Sequence, residues 1–332
     1  MSRHWKGRRV LVTGAGGFIG SHLVERLVRE GARVTAFVHY NSRSDWGNLE
    51  FCTPEVKRAL RVVAGELTDP RSVFEAMEDQ QTVFHLGALI AIPYSYSAPA
   101  SYVSVNVQGT VNVLEAARRL EVERVVHTST SETYGTARYV PMDEEHPLQG
   151  QSPYSASKIG ADKIAESYHL SFGLPVATVR PFNAYGPRQS ARAIIPTILT
   201  QMLTGRARLR LGSLKPIRDF TYVEDTVDGF LRAAQAARAV GTVVNLGSGK
   251  GVSIGELVKR AAKVCGAKVE LVEDKQRVRP GASEVMRLVC DNRKALRVLG
   301  WKPRVTLDDG LHRVKRYLDA NLGRYKTDRY IV

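Results

Sequence analysis

The feature that most constrains the fold of this chain is a glycine-rich turn between an apolar strand and an amphipathic helix. Residues 8–13 (RRVLVT) have the composition of a buried strand, and SHLVERLVREG follows with apolar residues at helical spacing. Between them, Gly14 permits a tight turn, Gly17 lets backbone N–H groups approach a pyrophosphate, and Gly20 lets the helix pack closely on the strand. The helix N-terminus adds free donors and a positive dipole end. This context predicts a dinucleotide site; a purely structural glycine turn is the alternative.

The segments after this turn alternate between strand and helix patterns. Helices are predicted at 101–120 and after Pro153, and strands at 32–38, 61–67, 82–88, 123–132 and 176–182. Such alternation is typical of a parallel sheet covered by helices on both faces. We therefore expect an α/β protein with a Rossmann-type doubly wound parallel sheet and a smaller C-terminal α/β substrate lobe.

Beyond residue 180 the alternation loosens, although 219–247 again shows a helix followed by a strand. The expected cofactor-binding domain therefore comprises 1–180 and 219–247. The remaining segments, 181–218 and 248–332, are expected to form the substrate-binding domain. A chain of this length can bury a core large enough for both.

The charge balance favours anionic small-molecule ligands. Lys and Arg number 48 and Asp and Glu 33, which gives a net charge of +15. The basic residues are spread along the chain, so we expect no nucleic-acid partner. The three cysteines show no metal spacing and no disulfide pattern, which fits a reducing cytoplasm, and we expect no metal site. The longest uncharged apolar run is too short to cross a membrane.

The segment SPYSASK places Tyr154 and Lys158 four residues apart at the start of a predicted helix. Residues at that spacing share a helix face, so the ammonium lies near the phenol. A nearby positive charge should lower the pKa of Tyr154 and make it a base for a sugar hydroxyl. A solvated lysine beside a half-buried tyrosine is the alternative interpretation.

Two predicted strands end in polar residues at the edge of the sheet where ligands bind. Thr130, Ser131 and Glu132 follow one strand, and Asn183 follows another. Thr130 can hydrogen-bond the hydroxyl that Tyr154 deprotonates. The Glu132 carboxylate supplies an additional acid or base, able to take a carbon-bound proton next to a ketone. A helix-capping role for Glu132 is the alternative.

The second predicted strand ends at Val38-His39-Tyr40 without the acid that commonly binds the adenosine ribose of NAD. Arg43, or His39, could instead meet a 2′-phosphate. The sequence therefore favours NADP over NAD slightly, unless Arg43 is only a loop charge.

A set of motifs in a fixed order makes the chain recognisable. GxxGxxG, STSETYG, YSASK, RPFNAYGPR, IRDFTYVEDTVDG, NLGSG and RPGASEVMRLVCDNRKALRVLGWKP together resemble the extended short-chain dehydrogenase/reductase family of nucleotide-sugar enzymes. The T-S-E before Y-x-x-x-K is similar to GDP-mannose 4,6-dehydratases and UDP-glucuronate decarboxylases. Other segments, such as IPYSY and RQSARAIIPTI, resemble the sequences of 4,6-dehydratases of the legionaminic-acid type, which act on UDP- or GDP-N-acetylglucosamine. A decarboxylase, a 4-epimerase and a non-catalytic NADP-binding regulatory protein remain alternatives.

The resemblance implies roles for individual residues. Tyr154 and Lys158, with Thr130, would oxidise C4 of the sugar, and Glu132 would remove the C5 proton and help expel the C6 hydroxyl. The implied cofactor, NAD or NADP, is tightly held and recycled. Its implied contacts are Gly14, Gly17, Phe18, Ile19, Gly20, Arg43, Glu66, Leu67, Leu86, Ala88, Asn106, Tyr154, Lys158 and Pro181. The implied contacts of the nucleotide-diphosphate sugar are Ser95, Ser131, Asn183, Arg218 and Arg279.

The sequence also departs from the family pattern. Ser131 stands where dTDP-glucose dehydratases carry an Asp that protonates the leaving hydroxyl, so this proton must come from Glu132 or a water. Glu66 replaces the usual Asp after the third strand, and Gly87 stands where Ala is usual.

Related enzymes pair through two long helices, here 101–120 and 154–172, which implies a homodimer and leaves a tetramer open. The apolar residues expected to exceed what one sheet face buries are Val103, Val107, Val111, Leu114, Ile159 and Ile164.

Overall fold

The main sheet consists of seven parallel strands. The structure is a computed structural model and describes residues 4–206, 208–274, 277 and 280–325. Within these residues the strands are β1 Arg9–Thr13, β2 Arg33–His39, β3 Leu60–Gly65, β4 Thr82–His85, β5 Arg124–Thr128, β6 Val176–Pro181, β7 Asn183–Tyr185, β8 Arg208–Leu211, β9 Ile217–Tyr222, β10 Val243–Leu246, β11 Gly251–Ser253 and β12 Glu270–Glu273. The order in the main sheet is β10-β6-β5-β4-β1-β2-β3.

Helices cover the sheet on both faces. They are α1 Phe18–Arg29, α2 Pro54–Arg58, α3 Pro70–Met77, α4 Ile92–Ser97, α5 Pro99–Tyr102, α6 Gly109–Arg119, α7 Pro153–Phe172, α8 Ile194–Leu203, α9 Val223–Gln235, α10 Ile254–Cys265, α11 Arg293–Leu299 and α12 Leu307–Asn321. The predicted doubly wound parallel sheet is confirmed. The central strands are apolar runs rather than alternating patterns because both of their faces are buried.

The strand order places the ligand-binding edge beside the glycine turn. From β1 the chain moves outward to β2 and β3, and it then returns to β4 on the other side of β1. Thr13, the last residue of β1, lies opposite Phe37 of β2 and His85 of β4. The turn that follows Thr13 therefore lies at the point where the strand order reverses, which is where open α/β sheets bind ligands.

The C-terminal half contributes to three sheets. Strand β10 joins the main sheet next to β6, with Val244 opposite Val179. Strands β11, β9 and β7 form a separate three-stranded sheet, and β12 pairs with β8. Helix α9 connects β9 to β10 and packs on both α1 and β6, so the chain crosses between the smaller sheet and the main sheet within residues 217–246.

Two glycines of the turn are required by close backbone approach. Gly14 has φ of +67°, and a Cβ there would lie 2.7 Å from the amide nitrogen of Gly87. A Cβ on Gly20 would lie 2.2 Å from the carbonyl oxygen of Gly14. Both separations are far below any van der Waals contact, so α1 and the loop after β4 can approach the turn this closely only because Gly14 and Gly20 lack side chains.

The predicted helix at 101–120 contains a feature that the sequence did not predict. The helical path runs through α5 and α6, but Val103–Gln108 between them is π-helical. Asn106 lies in this segment; its amide accepts from the N–H of Leu89 at 2.8 Å and donates to Ser157 Oγ at 2.9 Å. The π segment thus turns a polar side chain inward, toward the loop after β4 and toward α7.

In the described part of the chain, each helix is too short or too polar to span a lipid bilayer.

Candidate active site

Helix α7 begins where its sequence supplies a cap. Ser152 Oγ accepts from the N–H of Ser155 at 3.1 Å, and Ser155 Oγ accepts from the N–H of Ser152 at 3.0 Å. Pro153 occupies the first helical position, where its missing N–H costs nothing. This reciprocal cap fixes the start of α7 at Pro153, one residue before Tyr154. Tyr154 and Lys158, four residues apart, therefore share one buried face of the helix.

Burial dominates the electrostatics of this pair. It raises the pKa of Tyr154 well above its ordinary value, a hydrogen bond from Thr130 lowers it in part, and the Glu132 carboxylate raises it further. Burial also lowers the pKa of Lys158 to about 8, against the opposing effect of Asp162. The expectation that Lys158 lowers the pKa of Tyr154 is therefore wrong: desolvation of the phenolate outweighs any attraction by the ammonium.

The segment after β5 positions Thr130 and Glu132. Thr130 precedes a 3₁₀ turn at Ser131–Tyr134, and its Oγ1 accepts from the N–H of Glu132 at 3.3 Å. The capping side chain is thus Thr130, and no hydrogen bond or ion pair engages the Glu132 carboxylate within the described residues. This carboxylate acts electrostatically on Tyr154, and the turn that carries it packs against α7.

The glycine turn fits a dinucleotide pyrophosphate. Helix α1 follows Gly17, no side chain of the described residues caps it, and its first turn lacks an acid. Free N–H groups and the positive dipole end therefore face the turn, as an anion requires. Leu86, Gly87 and Ala88 follow β4 directly, and Gly87 donates its N–H to Thr13 Oγ1 at 3.0 Å. The side chain of Leu67 approaches Gly87, and Asn106 holds the loop beyond Ala88.

An acid does lie at the predicted adenosine end of the site. Glu66 follows β3, and its Oε1 is 3.0 Å from Nδ1 of His39 at the end of β2. The backbone N–H of Arg43 donates to Asn41 Oδ1, and Arg43 is exposed. The loop after β2 packs on the glycine turn, since Asn48 donates its N–H to the carbonyl of Gly16 at 2.8 Å.

The predicted substrate residues occupy different environments. Asn183, which follows β6, has a buried Oδ1 with no hydrogen-bond partner among the described residues. Arg218 on β9 is buried, and its Nη2 donates to Glu284 Oε1 at 3.1 Å. Ser131 is buried in the 3₁₀ turn next to Glu132, whereas the buried Ser95 hydroxyl donates to Ile92 O at 2.7 Å within α4. Arg279 lies outside the described residues.

Sequence reasoning missed two acidic residues near the site. Asp162 is buried and lies one turn beyond Lys158 on α7. Its i,i+4 spacing from Lys158 could have indicated from the sequence that the two side chains share a helix face. Glu284 is far from Arg218 in sequence, so no local pattern could have found it. In the described ranges, no cluster of three His, Cys, Asp or Glu side chains could hold a metal ion.

Comparison with known proteins identifies the family. Residues 11–314 match the family model described as GDP-mannose 4,6 dehydratase. A dTDP-glucose 4,6-dehydratase of an Actinoplanes species is 33% identical over 321 residues, covering 94% of this chain and 98% of that protein. A UDP-glucose 4-epimerase of Mycolicibacterium smegmatis is 33% identical over 317 residues, covering 91% and 96%.

A solved structure shows the same architecture. DesIV, a dTDP-glucose 4,6-dehydratase from Streptomyces venezuelae solved with NAD and TYD bound, is 31% identical and covers 97% of this chain and 100% of its own, with a TM-score of 0.86. Together with the glycine turn and the Tyr154–Lys158 helix, these matches confirm the resemblance read from the motifs. The chain belongs to the GDP-mannose 4,6-dehydratase family, within the nucleotide-sugar dehydratases and epimerases of the extended short-chain dehydrogenase/reductase fold.

Proposed function

We propose that this protein is an NAD(P)-dependent nucleotide-sugar 4,6-dehydratase, which converts a nucleoside-diphosphate hexose to its 4-keto-6-deoxy derivative. The observation that carries the proposal is the Glu132 carboxylate, which has no hydrogen-bond partner among the described residues, acts electrostatically on Tyr154 and belongs to a turn that packs on α7. Hydride transfer at C4 needs only Tyr154, Lys158 and Thr130. An additional carboxylate at the same centre supports a second proton transfer at the neighbouring carbon.

The proposed reaction consists of an oxidation, an elimination and a reduction. Tyr154, held by Thr130, accepts the proton of the C4 hydroxyl as a ketone forms. Glu132 then accepts the C5 proton and passes it to the departing C6 hydroxyl, which leaves as water. When bound, the nicotinamide dinucleotide would supply a hydride acceptor for C4 and a hydride donor for C6, so the net change is the loss of one water. Glu132, reprotonated from solvent, protonates C5 as C6 is reduced, and Tyr154 releases the proton that it took from the C4 hydroxyl.

A buried lysine has a distinct task in this scheme. Lys158 is nearly fully buried, and burial lowers its pKa to about 8. Near neutral pH most of this side chain is therefore still cationic. A cation at this position stabilises the phenolate of Tyr154, whose formation burial opposes.

The proposed substrates are UDP- or GDP-N-acetylglucosamine or GDP-mannose, because the motifs of this sequence resemble those of dehydratases that act on these sugars. Arg218 and Asn183 would hold the diphosphate. A 4-epimerase is the second candidate, supported by the epimerase from Mycolicibacterium smegmatis at the same identity as the dehydratase. A non-catalytic regulatory protein would not require the set Thr130, Glu132, Tyr154 and Lys158.

Product masses distinguish these reactions. Purified protein is incubated with a panel of UDP-, GDP- and dTDP-hexoses and hexuronates, and the products are analysed by mass spectrometry. A dehydratase gives a product lighter by one water. Unchanged mass with inversion at C4 would replace the proposal by a 4-epimerase, and loss of carbon dioxide would replace it by a decarboxylase.

We expect the protein to bind NAD rather than NADP. In the sequence, Arg43 favoured NADP. In the structure, however, the Glu66 carboxylate lies beside His39 and would repel a 2′-phosphate. The DesIV structure contains NAD. Dinucleotide released from denatured protein and identified by mass is expected to be NAD, and Glu66→Gln is expected to increase the NADP share. Recovery of NADP from the wild type, lost in Arg43→Ala, would restore the preference drawn from the sequence.

A homodimer through the helical segment 101–120 and α7 is proposed as well. Exposed apolar side chains on these segments support it, namely Val103, Leu170 and Phe172, which are 57%, 75% and 56% exposed. Leu114, expected on the same surface, is fully buried and cannot take part. Light scattering at micromolar concentration is expected to give twice the chain mass, and Val103→Glu to give the monomer. A monomeric wild type would contradict the proposal.

A further inference from the structure

A buried polar cluster lies behind Lys158. Its centre is Asp162, whose Oδ2 accepts from Ser129 Oγ at 2.5 Å and from Arg180 Nη2 at 2.9 Å. His127 Nε2 lies 3.0 Å from Asp162 Oδ1, and Arg180 Nε donates to Ser129 Oγ at 3.1 Å. Each of these four side chains is more than nine-tenths buried. A set this inaccessible cannot bind substrate directly, so any effect on the reaction must act through neighbours.

The cluster connects the elements that carry the site. Asp162 lies on α7 with Tyr154 and Lys158, whereas Ser129 directly precedes Thr130. Arg180 lies on β6 near its end, and its guanidinium also stacks over the ring of Tyr134, 4.5 Å from the centroid. One carboxylate thus ties α7 to the ends of β5 and β6.

Positive charges outnumber negative charges around Asp162. Burial lowers the pKa of His127, so this ring is neutral and donates one N–H to Asp162. Burial alone would raise the pKa of Asp162, but His127, Arg180 and Lys158 together lower it. The remaining balance is two buried cations, Lys158 and Arg180, around one carboxylate. Without that carboxylate, two desolvated cations would repel each other.

We propose that Asp162 is a positioning residue for the reaction: its buried carboxylate, one helical turn beyond Lys158, balances the charge of that ammonium and holds α7 in register with the strand end that carries Thr130. This inference rests on the roles proposed above for Tyr154 and Lys158. The opposing effects on Lys158 support it, because burial lowers its pKa and Asp162 raises it.

Other ionisable groups surround the same pair and must be considered in a pH experiment. By element they are Tyr154 and Asp162 of α7, His85 of β4, Tyr102 of α5, His127 of β5, Glu132 after β5 and Arg180 of β6. Burial also holds His85 neutral. Asp162 therefore raises the pKa of both Lys158 and Tyr154, and Glu132 adds to the effect on Tyr154.

The test is Asp162→Asn, which removes the charge and keeps the shape. The amide fits if His127 changes tautomer, since its Nδ1 has no partner among the described residues. The alkaline limb of the pH profile of kcat/KM is expected to move to lower pH by about one unit, because a neighbouring opposite charge typically shifts a pKa by 1–3 units. Ser129→Ala, which removes one hydrogen bond but no charge, is expected to leave the limb in place.

A second variant predicts the opposite direction. Arg180→Gln removes the cation that competes for Asp162, so the alkaline limb is expected to move to higher pH. This variant also serves if Asp162→Asn does not fold. A purely structural role for the cluster would lower kcat in both variants without moving the limb, and that result would overturn the inference.

A measurement without substrate separates this inference from the proposed reaction. The 13Cε resonances of lysine-labelled protein are followed with pH, and the Lys158 signal is assigned by its absence in Lys158→Met. We expect it to titrate near pH 8 in the wild type, apart from the exposed lysines, and lower in Asp162→Asn. An unmoved Lys158 signal in this variant would refute the inference. Failure of the sugar assay alone would refute only the proposed reaction.

Discussion

Glu132→Gln is expected to oxidise C4 of the sugar and to lose water elimination by about 10²–10⁴-fold, the usual contribution of a positioned acid or base. Tyr154, Lys158 and Thr130 remain intact, so proton removal from the C4 hydroxyl is unaffected. The C5 proton, however, loses its proposed acceptor, the carboxylate that acts on Tyr154 from the turn after β5.

Two measurements follow the missing step. Rapid quench into borodeuteride traps any 4-ketone that still carries its 6-hydroxyl, and mass spectrometry counts the deuterium. In parallel, sugar recovered from reactions in D₂O reports exchange at C5. The variant is expected to give the trapped ketone without C5 exchange.

Glu145→Gln is the matched control for this experiment. Its exposed carboxylate lies in the segment between the 3₁₀ turn and α7, and the same substitution there is expected to leave turnover at the wild-type rate. Wild-type dehydration by Glu132→Gln would remove the carboxylate from the mechanism and would leave Glu132 without a proposed role.

Tyr154→Phe is expected to block the reaction one step earlier. Without the phenol, the C4 hydroxyl has no proton acceptor, and turnover should fall by about 10²–10⁴-fold. Removing the buried hydroxyl of Tyr154 also removes its hydrogen bond with Thr130, so the C4 hydroxyl of the sugar loses part of its alignment. No 4-ketone should be trapped by borodeuteride, in contrast to Glu132→Gln.

Tyr168→Phe controls for the loss of a tyrosine hydroxyl on the same helix. Tyr168 OH contacts Glu115 at 3.3 Å on the far part of α7, and this variant should keep full activity. If Tyr154→Phe accumulates the 4-ketone, another group must accept the C4 proton, and the order of roles proposed for Tyr154 and Glu132 is wrong.

Local sequence patterns were sufficient for the main elements of the site. The cap Ser152-Pro153 determines where α7 begins, and the fixed i,i+4 spacing then places Tyr154 and Lys158 on one face. Gly20 is required because the carbonyl oxygen of Gly14 approaches it too closely for any side chain, and Gly14 because its own φ is positive. In both cases, the physical constraint acts between residues near in sequence, which is why a pattern can reveal it.

What only the tertiary structure decided is the environment of those residues. The burial of Tyr154, which reverses the expected direction of its pKa shift, comes from α5 and the loop after β4 packing over α7. The acid at the adenosine end, Glu66, reaches His39 because two strands distant in sequence lie side by side. The sequence by itself determined the parallel sheet, the glycine turn and the catalytic helix, since short-range sterics and hydrophobic periodicity specify them. Solvation and long-range charge depend on which segments meet, and only the folded chain brings those segments together.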